Sequence, residues 1–64
     1  MRKRDWISIV ARKLNATDGN RKTWRMLTPT ERDMLREWAT ELARTYYEDN
    51  YSPTDAVYDE ISNA

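Results

Sequence analysis

The side chains that could do chemistry in this chain are carboxylates, guanidinium and ammonium groups, and aromatic rings; its 64 residues include no His and no Cys. Without imidazole or thiol, the usual zinc sites, His-based acid–base steps and disulfide frameworks are absent. A single Gly excludes the Gly-rich loops that cradle phosphates and dinucleotides. Two constellations remain. Asp33, Glu37 and Glu41 follow one another at four-residue steps, which on a helix makes an acidic ridge. Arg21, Lys22 and Arg25 surround Trp24, a pattern in which cations would hold phosphates and an indole would stack on a base. Carboxylates with no partner base and no long loop to shape a pocket make a solvated face or a recognition surface, not a general acid and base. The expectation is a protein that is not an enzyme, with no cofactor, no metal and no small-molecule substrate.

The acidic ridge needs a helix to carry it, and the stretch from Thr28 writes one clearly. Thr28 and Glu31 have the spacing of a capping box, Pro29 falls at the first helical position, and Glu31 and Asp33 complement the helix dipole. Met34, Leu35, Trp38, Ala39, Leu42, Ala43 and Tyr46 then recur at three- and four-residue steps, one apolar stripe of an amphipathic helix. Glu48-Asp49-Asn50, followed by Pro53, should end it. Ser52, Pro53 and Asp55 repeat the same start for a last helix, with Ala56, Val57, Ile61 and Tyr58 on its apolar side. Near the N-terminus, Asp5 could cap a helix whose apolar face is Trp6, Ile7, Val10, Ala11 and Leu14, widened by Ile9. Its β-branched residues also allow a strand, but no partner strand exists to satisfy its backbone. Asp18-Gly19-Asn20 is a turn signal. Arg21–Leu27 reads as a short helix or as an irregular segment pinned by Trp24. The reading is all-α: one domain over 1–64 with three helices and a short fourth, spanning about 4–15, 21–27, 29–48 and 53–62.

Zero net charge conceals a split. Residues 1–27 carry eight basic residues against Asp5 and Asp18, a net +6; residues 28–64 carry Arg32, Arg36 and Arg44 against nine acids, a net −6. Such asymmetry points either to charged partners or to two halves that attract each other, within one copy or between two. No apolar run is long enough to span a bilayer, so no membrane partner is expected, and a cytoplasmic protein is the default.

Leu27-Thr28-Pro29-Thr30-Glu31-Arg32-Asp33-Met34-Leu35 resembles the opening of the LuxR-type helix-turn-helix. That resemblance implies a second helix followed by a basic recognition helix in DNA. Here the helix continues through Thr40–Tyr47, and the next one offers Asp55, Asp59 and Glu60, which phosphates repel. N-cap chemistry accounts for the shared residues. In a different helix-turn-helix, residues 21–27 would pair with the central helix as reader, against which the ridge of Asp33, Glu37 and Glu41 argues.

The residues thus favour a small protein-binding module: an adaptor, inhibitor or regulator of a larger protein, of the economical kind found among phage and mobile-element accessory proteins. Its expected surface is acidic and aromatic: Asp33, Glu37, Glu41, Tyr47, Glu48, Tyr51, Asp55, Tyr58 and Asp59. The alternative is nucleic-acid binding through Arg2, Lys3, Arg4, Arg21, Lys22, Trp24 and Arg25. A homodimer pairing basic and acidic halves is compatible with either.

Overall fold

A computed structural model describes residues 1–17 and 22–63. The turn read over Asp18–Asn20, together with Arg21 and Ala64, lies outside the described residues. The described chain runs as α1 (Lys3–Thr17), a 3-10 turn (Trp24–Met26), α2 (Pro29–Leu42), a π-helical segment continuing α2 (Ala43–Tyr47) and α3 (Pro53–Ser62). This is a small all-α domain, and no strand occurs among the described residues. The short fourth element read over 21–27 is the single 3-10 turn.

The two helix starts follow from their local sequences. Thr28 Oγ1 accepts from the Glu31 amide at 3.2 Å, and Glu31 Oε1 accepts from the Thr28 amide at 3.0 Å. This closes the capping box, with Pro29 in the first turn. Ser52 Oγ accepts from the Asp55 amide at 3.2 Å in the same way at α3. The start of α1 differs from expectation. It begins at Lys3, with the Trp6 amide donating to the Arg2 carbonyl, so Asp5 lies inside the first turn and acts on the dipole, not as the cap. The central helix stops as its composition requires. Asn50 takes the left-handed conformation (φ 63°), and the amides of Asn50 and Tyr51 donate to the carbonyls of Tyr47 and Tyr46. That is the two-bond closure of a helix end, with Asn in the position usually filled by Gly.

The core joins Trp6, Val10, Ala11 and Leu14 of α1, Ala39, Leu42 and Ala43 of the central helix, and Ala56 and Val57 of α3. Ala11, Ala39, Ala43 and Ala56 are fully buried, and their small side chains let the helices approach while Trp6 fills the space between them. Ile7, Trp24, Leu35, Tyr46 and Tyr47 pack around this centre. The apolar stripe read on α2 is therefore too wide. Leu35, Ala39, Leu42, Ala43 and Tyr46 face the other helices, whereas Met34 is 65% and Trp38 is 38% exposed. On α3, Tyr58 and Ile61 are likewise exposed, not inward. With Cα extents of 31 × 24 × 15 Å, the molecule is too thin for a helix to bury more than one side.

Two polar side chains tie the segment between α1 and α2 to the helices. Asn15, buried on α1, donates from Nδ2 to the Lys22 carbonyl at 3.0 Å. Arg32 on α2 donates from Nε to the Trp24 carbonyl and from Nη2 to the Arg25 carbonyl, both at 3.1 Å. Neither role was apparent in the sequence, because each depends on where a distant carbonyl arrives.

Candidate functional site

The outer face of α2 carries the candidate site. Met34 and Trp38 are one helical turn apart and so adjacent on the surface. With Glu37, Thr40 and Glu41 they line a shallow depression of about 410 Å³. Leu35, Ala39 and Leu42 turn the opposite side of the helix to the core, which fixes this face outward. Thr40 is held by a hydrogen bond from its hydroxyl to the Arg36 carbonyl at 2.7 Å. The Trp38 indole N–H has no hydrogen-bond partner among the described residues. A large ring with a free donor beside two carboxylates is equipped to contact an apolar side chain and a cation together.

All three acids of the ridge are exposed. Asp33 pairs with Arg36 and Glu41 with Arg44, each at 3.7 Å across one helical turn. Exposed pairs of this kind are worth little and open readily. Glu37 takes part in no ion pair among the described residues.

The tyrosines read as one patch with these acids do not form one. Tyr47 is half-buried: its ring meets Trp6 edge-on at 5.8 Å, its hydroxyl donates to the Met1 carbonyl at 3.1 Å, and Lys3 Nζ lies over it at 6.0 Å. Tyr51 packs edge-on against Tyr46 at 5.0 Å, and its carbonyl accepts the Trp6 indole N–H at 2.8 Å. Tyr47, Glu48 and Tyr51 share a recess with Met1 and Trp6. Asp59 accepts the Tyr46 hydroxyl at 2.8 Å, and this bond, with burial second, pushes the Tyr46 hydroxyl up to about 12. Asp55 is exposed in the first turn of α3. Tyr58, 74% exposed, lies apart, in a groove between α1 and α3 lined by Lys13, Ala16, Val57 and Ile61. Tyr47, Tyr51 and Asp59 thus hold the fold together, and Tyr58 belongs to another surface.

Of the basic residues of the alternative reading, Lys3 and Arg4 line one groove, and the others among the described residues lie apart from it. Arg2 is exposed at the chain start. Lys3 pairs with Glu48 at 3.5 Å and Lys22 with Glu31 at 3.6 Å. These pairs link the basic and acidic halves within one copy. The Thr28 amide, then the Thr28 hydroxyl, hold the Glu31 carboxyl below its ordinary value, with Lys22 adding to the effect. Arg25 is exposed, with its carbonyl taken by Arg32. Trp24 is half-buried against the core, and the guanidiniums of Arg12 and Arg36 lie over its ring at 5.6 and 5.5 Å. Its ring is engaged by cations, not presented for a base. Among the described residues no group of three or more carboxylates converges to hold a metal ion, and no helix is long and apolar enough to cross a membrane.

Comparison of the chain with protein families, with curated proteins and with solved structures finds no match in any of the three.

Proposed function

We propose that this chain is a non-enzymatic protein-binding module that docks a basic amphipathic segment of a larger protein on the outer face of α2. One observation carries the reading: Met34 and Trp38 stand exposed side by side next to Glu37 and Glu41, on a helix whose core side is complete without them. Trp is among the side chains that most often dominate binding energy, and flanking carboxylates select a cationic partner and speed its approach. An adaptor, inhibitor or regulator needs no more than such a face on a stable scaffold.

The test is capture of partners from nuclease-treated host lysate by the wild-type chain, by Trp38→Ala with Met34→Ala, and by Tyr58→Ala. The expected result is a stoichiometric protein retained by wild type and Tyr58→Ala and lost by the double variant. Loss of a central Trp costs about 2 kcal/mol or more of binding, roughly a thirtyfold weakening. A partner held equally by a folded double variant would remove the α2 face from the function.

A further inference from the structure

We propose a second, separate binding surface: the groove between α1 and α2 takes the phosphate backbone of nucleic acid. The groove, about 550 Å³ in volume, is lined by Lys3, Arg4, Ile7, Ser8 and Arg36. Ile7, half-buried against the core, provides an apolar wall, and the other four side chains can donate hydrogen bonds but carry no negative charge. Arg4, Ser8 and Arg12 repeat at four-residue steps, one ridge of α1. Eight residues of helix span about 12 Å from Arg4 to Arg12. One DNA strand places a phosphate about every 3.4 Å along the axis, so roughly three phosphates lie beside such a ridge.

Trp24 holds one of these cations, Arg36, and extends the basic ridge to Arg12. Arg12 comes from α1 and Arg36 from α2, and both guanidiniums lie over the same ring, at 5.6 and 5.5 Å. The negative π-face of the indole attracts each of them. The acids near the groove are poor competitors. Asp33 lies 3.7 Å from Arg36 and Glu48 lies 3.5 Å from Lys3, in exposed pairs. Arg4 and Arg12 have no ion-pair partner among the described residues. A phosphate entering the groove therefore displaces only weak pairs and meets three cations from two helices, Lys3, Arg4 and Arg36. The ridge lies along the phosphates and places no helix in a groove of the duplex, so the proposed binding is independent of sequence.

Fluorescence anisotropy of the full chain with a short labelled oligonucleotide, single-stranded and duplex, tests this across a salt series. Binding should be seen at low salt, and its logarithm should fall with log salt at a slope of roughly −2 to −3 for three phosphate contacts. Arg4→Gln with Arg36→Gln should weaken it about tenfold or more, whereas Arg4→Lys with Arg36→Lys should keep it, because a phosphate contact needs charge more than a fork. Arg25→Gln with Arg44→Gln removes the same charge elsewhere and should change little. No binding at low salt, equal loss in the two Gln pairs, or equal competition by polyglutamate of matched charge would overturn the proposal. None of these outcomes bears on the α2 face, which is assayed with nuclease-treated protein partners.

Discussion

Trp6 and Trp38 are the same residue on two helices of one small domain, and they meet opposite fates. Trp6 is 2% exposed, donates its indole N–H to the Tyr51 carbonyl, and takes the edge of Tyr47. Trp38 is 38% exposed, with Met34 and two carboxylates for company. Both occupy an apolar rhythm that reads as core. The difference is whether another helix arrives. At Trp6 the chain returns twice, as Tyr47 at the end of the central helix and as Tyr51 before α3. At Trp38 no described segment returns, because α2 already covers α1 with Leu35, Ala39 and Leu42. In a domain this size an aromatic ring is structural when later chain closes over it, and otherwise a candidate contact.

The largest break in that contrast is Trp6→Ala. Truncating a fully buried Trp costs about 3–5 kcal/mol, most or all of the stability of so small a domain, and circular dichroism should show a largely unfolded chain. Asn15→Ala should come next. It removes the part-buried hydrogen bond to the Lys22 carbonyl, and with it a tie between α1 and the segment entering α2, at about 1–1.5 kcal/mol by urea denaturation. Thr28→Ala should cost about 1 kcal/mol through the lost cap. It should also flatten the acid limb of stability in part, since it removes the Thr28 hydroxyl but keeps the Thr28 amide, the larger cause. The Glu31 carboxyl titrates lower folded than unfolded, so its contribution is complete above the unfolded value and is lost as pH falls through the folded one. Trp38→Ala should be the mildest, at about 1 kcal/mol or less, since the residue is 38% exposed and is not part of the core cluster. A large loss there would mean that the ring supports the core, and the contrast with Trp6 would collapse.

Tyr46 sharpens the same comparison spectroscopically. Its hydroxyl, bonded to Asp59, is raised to about 12 from an ordinary value of 10.0. A group raised on folding contributes fully below its unfolded value, and the contribution disappears as pH rises through the folded one. Tyrosinate absorbance should therefore include a late component near pH 12 that Tyr46→Phe removes, with stability declining between the two values in wild type.

The helices were legible because their signals are local. Thr28 with Glu31, and Ser52 with Asp55, are caps within one turn, and the inward residues of α1 follow from period alone. The candidate surfaces were less legible. Asp33, Glu37 and Glu41 were readable as a ridge, but Met34 and Trp38 were assigned to the core, because a stripe shows which residues share a face without showing how wide the neighbour is. Tyr47, Tyr51 and Tyr58 were grouped by closeness in sequence, yet Tyr47 and Tyr51 share one recess around Trp6 while Tyr58 falls on α3 in a different groove. Arg12 and Arg36 were passed over for the basic surface because they lie in different halves, and only the packing of α1 on α2 brings both to Trp24.

The amino-acid order by itself determined that the chain is helical, where α2 and α3 begin, and that no imidazole or thiol chemistry is possible. Those properties depend on side-chain identity and on hydrogen bonds closed within a few residues. Tertiary structure alone decided which aromatic rings are buried and which cations stand together. Burial depends on contacts between segments far apart in sequence, and a thin three-helix domain has too few of them to cover every apolar residue that its helices carry.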